Sequence, residues 1–263
     1  AGDTNALAQL KDQLKDLAQK RASLLLENGY PTDFLDPIYD CPDCQDTGYV
    51  NGQKCHCFRQ AIIDLLYMQS NLGETLKSEN FSAFSLDYYP DLVPDALTGL
   101  TARQTAEHAL KTSLNFVRNF DHAFENLFLY GDTGLGKTFL SHCIAKELIE
   151  STHSVIYFSA FRLFELFADS TFGRTDSASQ QELEQHIFEC DLLIIDDLGT
   201  ELINTFTASQ MFYCVNERLN RNKGTIISTN LTLGELQDAF TERVTSRIMS
   251  RYKIIPLIGD DLR

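Results

Sequence analysis

Leucines at positions 7, 10, 14, 17 and 24 recur at three- and four-residue spacing, with Arg21 interrupting the seam. That period predicts an amphipathic helix of three turns or more, stopped by Asn28-Gly29-Tyr30-Pro31. With so few heptads, its stripe is expected to pack against its own domain, a coiled coil or a partner helix being the alternative. Phe58 to Ser70 reads as a second apolar-rich helix. From Asn71 to about Ala96, turn residues such as Asp87-Tyr88-Tyr89-Pro90-Asp91 and Pro94-Asp95 break any long period. Leu97 to Phe120 is again helical in pattern. Beyond it, short apolar runs at Asn126–Tyr130, Val155–Ser159, Leu192–Ile195, Thr225–Thr229 and Ile254–Leu257 alternate with helical stretches. This predicts an α/β fold, a parallel five-stranded sheet flanked by helices, preceded by a small helical module. The expected division is 1–70 for the amino-terminal domain, 71–96 for a linker and 97–263 for the sheet domain.

Composition narrows the function classes. Of 263 residues, 43% are apolar and 22% charged, with a formal charge of −15. No apolar run approaches the roughly 18 residues that cross a bilayer, and the start is polar, so neither a membrane protein nor a secreted one is expected. The acidic balance argues against coating duplex DNA through bulk charge. Seven cysteines, an odd number, fit a reducing cytoplasm. Cys143, Cys190 and Cys214 stand isolated in apolar surroundings and read as small core residues. Residues 214–253 nevertheless hold seven basic side chains (Arg218, Arg221, Lys223, Arg243, Arg247, Arg251, Lys253) against four acids. That segment serves either an anionic partner, such as nucleotide or single-stranded nucleic acid, or a solvated helix face.

Directly after the strand ending at Tyr130 comes Gly131-Asp132-Thr133-Gly134-Leu135-Gly136-Lys137-Thr138, the pattern G-x-x-x-x-G-K-T in its strand–loop–helix setting. The glycines let successive N–H groups turn inward around phosphate oxygens, and the helix starting near Lys137 aims its positive end at them. Lys137 is expected to reach the β- and γ-phosphates, and the Thr138 hydroxyl to ligate Mg²⁺.

Leu192-Leu193-Ile194-Ile195-Asp196-Asp197 supplies the partner element: a buried strand exposing two acids at its carboxyl end, where open α/β sheets bind ligands. Asp196 is the candidate for holding Mg²⁺, mostly through water, and Asp197 for polarising the attacking water. Asp196-Asp197-Leu198-Gly199 and Asn222-Lys223-Gly224-Thr225 imitate GTPase motifs. Thr225 replaces the aspartate that would pair with guanine, and losing those charge-assisted bonds costs roughly 1.5–3 kcal/mol each, so both matches read as decoys. The run Ile226-Ile227-Ser228-Thr229-Asn230 ends a strand in an amide able to orient water or touch the γ-phosphate. Arg243, Arg247 and Arg251 share one helical face and can reach a neighbouring subunit's nucleotide.

Cys41-Pro42-Asp43-Cys44, ten residues, then Cys55-His56-Cys57 gives two short ligand pairs joined by a hairpin-sized loop. Such pairs can close a tetrahedral zinc site. In extended chain Cys55 and Cys57 face one way and His56 the other, which favours Cys41, Cys44, Cys55 and Cys57, with His56 as a substitute for one of them.

Leu129 to Thr138, Leu193 to Gly199, Ser228-Thr229-Asn230-Leu231-Thr232 and Arg243-Val244-Thr245-Ser246-Arg247 together closely resemble AAA+ ATPases of bacterial replicative helicase loaders, the DnaC/DnaI type, with the transposition helper IstB as a close relative. The likeness covers roughly residues 75–263. It implies Walker A at Lys137 and Thr138, Walker B at Asp196 and Asp197, sensor 1 at Asn230, an arginine finger at Arg247 with Arg243 as competitor, and a sensor 2 arginine at Arg263. It further implies an ATPase binding ATP/ADP and Mg²⁺, self-associating through AAA+ interfaces. A zinc-containing amino-terminal domain would contact the hexameric replicative helicase during loading onto single-stranded DNA. Asp197 stands where most AAA+ proteins carry glutamate, so slow hydrolysis is expected. A transposition helper and a nucleotide-gated adaptor that scarcely hydrolyses ATP are the alternatives.

Overall fold

The leucine-spaced segment is helical as α1, Thr4–Glu27. Its stripe is not covered, however. Leu10, Leu14, Leu17 and Leu24 are each more than half exposed, while Leu25 beside them is buried. The expectation that this face packs on its own domain is therefore corrected: the buried position lies one residue off the seam. A two-stranded hairpin follows, β1 at Tyr49–Val50 and β2 at Gln53–Lys54. The computed structural model describes residues 4–58, 60–61, 72–95, 98–151, 153–172 and 184–262. Most of the helix expected over 58–70 lies outside them. The chain divides into two compact units, Ala1–Asn51 and Gly52–Arg263.

In the second unit, α2 (Leu72–Ser78) and a 3₁₀ turn at Leu86–Tyr88 precede α3 (Ala102–Arg118). Strands β3 (Leu127–Tyr130), β4 (Val155–Ser159), β5 (Leu192–Leu198), β6 (Gly224–Thr229) and β7 (Lys253–Pro256) then alternate with helices. Those helices are α4 (Lys137–Glu150), α5 (Ala160–Phe172), α6 (Thr205–Asn220) and α7 (Leu233–Arg251). The sheet is parallel throughout, in the order β4-β5-β6-β3-β7. Apolar runs dominate β3 and the first four residues of β5 because both faces of the sheet are covered there. Leu127, Leu129, Leu192, Ile194 and Ile226 join the core formed with Ala106, Phe116, Leu140 and Ile144 of α3 and α4. Phe128, Leu193, Ile195 and Ile227 point the other way, onto Leu163, Met211, Phe240 and Val244 of α5, α6 and α7. The two-residue period thus divides the apolar strand residues between two cores.

Helix ends follow from local chemistry. Thr101 with Gln104, Asn204 with Thr207 and Thr232 with Glu235 form capping boxes at the starts of α3, α6 and α7. By contrast, α4 starts after left-handed Gly136 with no side-chain cap. Inside α7, Thr241 has φ 73° and ψ 153°, which breaks the helix so that the arginine-bearing half runs on its own axis.

The basic segment resolves mainly into structural pairs. Arg218 is fully buried and donates to Thr225 Oγ1 at 2.9 Å, the carbonyls of Ile187 (2.6 Å), Cys190 (3.2 Å) and Gly224, and Cys190 Sγ. Lys223 pairs with Asp191 at 2.9 Å, Lys253 with Glu125 at 2.6 Å and Arg221 with Glu217 at 3.3 Å. Four of the seven charges are thereby committed within the fold, which argues against an anion-binding stripe, and buried Arg218 belongs to no solvated face either. The isolated cysteines are buried, as expected. Burial pushes the Cys143 and Cys214 thiols up to about 12.

Candidate nucleotide site and cysteine cluster

The order of the sheet assembles the nucleotide site. Because β6 lies between β3 and β5, the loop after β3 and the acids ending β5 flank the same strand end. Two glycines of the loop are sterically required. A Cβ on Gly131, at φ +144°, would sit 2.0 Å from the Leu257 carbonyl oxygen, and one on Gly136, at φ +85°, 2.6 Å from the Tyr89 hydroxyl. That hydroxyl donates to the Leu135 carbonyl at 3.0 Å. The Leu262 N–H donates to the Gly134 carbonyl at 3.2 Å. Lys137 is 4% exposed, and its Nζ donates to the carbonyls of Gly131 and Asp132 at 2.7 Å each. Beside the uncapped start of α4, the glycine-rich loop carries a buried ammonium, a chemistry suited to phosphate.

The two acids are not equivalent. Asp196 is buried while Asp197 is exposed, which corrects the expectation that both acids are exposed. The cause is a shift in the β5–β6 register between Ile195 and Leu198, together with a left-handed Asp197 at φ 55°. Asp196 instead collects hydroxyl donors. Thr138 Oγ1 donates to its Oδ2 at 2.9 Å, the Tyr157 hydroxyl donates to the same oxygen, and Ser228 Oγ donates to Oδ1. Ser228 Oγ in turn accepts from the Asp197 N–H at 2.9 Å, so one hydroxyl orients both acids. Burial, and then the Asp196 carboxylate, push the Tyr157 phenol far above its ordinary range, which keeps it a donor.

A cavity of about 510 Å³ opens against the loop, lined by Thr133 to Phe139, Asp197 and Leu262 and by Glu79, Phe84, Tyr88 and Tyr89. Its size matches a nucleotide-scale ligand. The aromatic wall is what sequence reasoning missed: the segment read as a linker lies against the loop, with Tyr89 4% exposed and Phe84 5.8 Å from it, centroid to centroid. The available signal was Tyr88-Tyr89, aromatic residues set among turn formers.

Asn230, Arg243, Arg247 and Arg251 do not line this cavity. Asn230 is exposed immediately after β6. Arg247 rests on its own chain, its guanidinium 4.4 Å from the Phe212 ring centroid, with Nε donating to Asn216 Oδ1 at 3.1 Å and Nη1 to the Arg243 carbonyl at 3.3 Å. Arg243 and Arg251 are exposed. Arg263 lies outside the described residues.

Around the hairpin, the sulfurs of Cys41, Cys44, Cys55 and Cys57 all lie within 4.8 Å of one another, and His56 is not part of the group. The Gly48 N–H donates to Cys44 Sγ at 3.3 Å, and the Cys41 N–H to Asp46 Oδ1 at 2.8 Å. Left-handed Gln45 and Asp46 make the turn that brings the first pair back on itself. Four thiolate donors at this spacing fit a tetrahedral metal and are compatible with a zinc-binding domain.

A parallel sheet with a phosphate loop after β3, an acidic tip on β5 and a further strand between them defines an AAA+ P-loop ATPase. The IstB-like ATP binding protein family matches residues 96–263, and the chain belongs to that family. ATP hydrolysis is the general activity of this class. The chromosomal replication initiator protein DnaA of Roseobacter denitrificans is 30% identical over 167 residues, 63% of this chain and 33% of its own length. The chain thus spans about a third of the curated relatives it matches. Among solved structures, the DnaC helicase loader matches with a TM-score of 0.56 and 22% identity, over 70% of this chain and 99% of that one. DnaI matches with a TM-score of 0.51 and 23% identity, over 59% and 85%. Both likenesses establish a shared fold. Among the described residues no helix is long and apolar enough to cross a membrane.

Proposed function

We propose that this protein is a replication ATPase that loads a hexameric DNA helicase onto single-stranded DNA. The observation carrying this reading is the pairing of an ATPase domain, built like that of the DnaC loader, with an amino-terminal cysteine cluster and an uncovered leucine stripe. In this reading residues 1–70 grip the helicase, 71–96 connect, and 97–263 bind ATP and pack against neighbouring copies. Lys137 and the loop amides hold the triphosphate. Magnesium, when bound, neutralises charge on the phosphoryl oxygens; Thr138 would ligate it, with Asp196 behind Thr138. Asp197 orients water for attack on the γ-phosphorus as the bond to the ADP oxygen breaks. Asn230 contacts the γ-phosphate or that water, Arg247 serves the neighbour's nucleotide, and Arg263 closes on its own. Asp197 is one methylene shorter than glutamate, which supports slow turnover in the isolated chain.

The test is a loading assay with the cognate hexameric helicase and circular single-stranded DNA. Helicase retained on the circle should rise at least tenfold with this protein and ATP, and binary binding should require residues 1–70. A chain that binds transposase and ignores the helicase overturns the proposal in favour of the transposition helper, which the family match alone would equally support.

Zinc is part of the proposal. Protein purified without chelator should carry about one zinc per chain, and Cys44→Ser should lose it along with the ordered 41–57 segment. ATP binding by that variant should stay within about twofold of the parent. Elemental analysis finding no metal in the parent protein removes zinc from this account.

A further inference from the structure

Tyr157 belongs to none of the nucleotide motifs, yet its hydroxyl donates to Asp196 Oδ2, the oxygen that also accepts from Thr138 at 2.9 Å. On β4 it pairs in register with Ile194, while Ser159 pairs with Asp196. Only a long side chain leaning along the strand spans that offset. The ring is backed by His142 of α4, with centroids 4.8 Å apart. His142 Nδ1 lies 2.6 Å from Glu79 Oε2, and Glu79 lines the same cavity as the phosphate loop. Contacts therefore run from the cavity wall through His142 and Tyr157 to the buried acid.

We propose that Tyr157 is a positioning residue for the metal of the nucleotide site, braced by His142 and Glu79. This rests on the ATP-site reading above. The carboxylate of Asp196 can otherwise turn about its last torsion, which is broad. Hydroxyls from α4, β4 and β6 fix it from three directions. The fixed Oδ2 accepts the hydrogen bond from the Thr138 hydroxyl at 2.9 Å, which leaves the Thr138 oxygen's lone pairs free for a metal. Tyr157 supplies the donor that keeps Oδ2 in place; without it Thr138 loses a defined acceptor. Outer partners of metal-binding groups typically change metal affinity about 10- to 100-fold when removed.

The experiment is a Mn²⁺ titration followed by electron paramagnetic resonance in the presence of ADP, with ADP affinity measured separately in EDTA. Tyr157→Phe keeps the ring and removes the donor. It should raise half-saturating Mn²⁺ about tenfold, while metal-free ADP affinity and the melting temperature without ligand stay near those of the parent. A Tyr157→Phe protein with parental manganese affinity overturns the proposal, because a ring that only packs would leave that value untouched. Should Tyr157→Phe fail to fold, His142→Ala carries the test: a rise of about threefold is expected, and no rise overturns it. If the parent protein binds neither ADP nor manganese, the ATP-site reading fails and Tyr157 with it. If the parent binds both and the variant is unchanged, only the role of Tyr157 falls.

Discussion

Lys137→Ala is expected to lower ATP affinity about 100-fold or more and to eliminate hydrolysis, while the protein without nucleotide keeps its fold. In the structure the ammonium is held inside the loop by the carbonyls of Gly131 and Asp132. An ammonium has three donors, so it can turn toward phosphate oxygens while keeping one of these anchors. Each charge-assisted bond to phosphate contributes roughly 1.5–3 kcal/mol, so two of them correspond to about two orders of magnitude or more in affinity. Removing the side chain also relieves the desolvation of a cation at a residue only 4% exposed, which offsets the two lost bonds to carbonyls. Calorimetry with ATP and magnesium measures the first effect. A thermal melt measures the second: the parent should gain about 2.7 kcal/mol of stability at a ligand concentration 100 times its dissociation constant, and the variant almost none. Undiminished heat of binding in Lys137→Ala would sink the assignment of the loop.

Arg247→Ala should have the second large effect, and of a different kind. ATP affinity should stay within about threefold of the parent, while turnover in the assembled state falls by about 10³-fold or more, as for other arginines acting in trans on a neighbour's phosphate. The geometry is consistent with such a division of labour. Arg247 lies on the half of α7 beyond the Thr241 break, parked over Phe212 and held by Asn216, and it does not line its own chain's cavity. Leaving Phe212 costs about 0.5–2 kcal/mol of cation–π attraction, an amount that contact with a phosphate readily exceeds. Arg243, one turn earlier and exposed, tests the alternative: its alanine variant should retain most activity. Mixing distinguishes trans from cis action. Lys137→Ala subunits lack a working pocket but keep Arg247, so adding them to inactive Arg247→Ala subunits should restore turnover at mixed interfaces. Full activity of Arg247→Ala by itself would transfer the role to Arg243 or remove it.

The strands and the phosphate loop were legible because each is specified by residues adjacent in sequence. Five apolar runs, bounded by turns, mark strands buried on both faces, and Leu192 to Ile195 identified β5 with only its last three residues omitted. The glycines of the loop were readable because the positive φ of Gly131 and Gly136 is a local requirement, whereas the close approach of Leu257 and Tyr89 to them was not readable. Contacts made across the sheet were not legible. Tyr157 and Ser228 reach Asp196 from flanking strands, 39 and 32 residues away. The aromatic wall at Phe84 and Tyr89 was hidden for the same reason: turn-forming neighbours suggested a linker, and nothing local reveals that Tyr89 donates to Leu135. Charge patterning misled in a related way, since Arg218 looks like surface until Ile187, Cys190 and Gly224 are seen to supply its acceptors. The leucine stripe of α1 gave its helix correctly but not its exposure, because periodicity reports a face and leaves its partner unspecified.

Arg218 also limits how this domain can respond to ATP. Its permanently charged head is wedged where α6, the start of β6 and the turn before β5 meet, and its acceptors come from separate stretches of chain. Sliding one of those stretches past another by even half a residue would strand a cation among Cys190, Cys214 and their apolar neighbours, a far costlier state than a modest tilt of the whole body. Whatever motion nucleotide sets off should therefore leave the sheet intact and be confined to its borders, with the domain turning as one block.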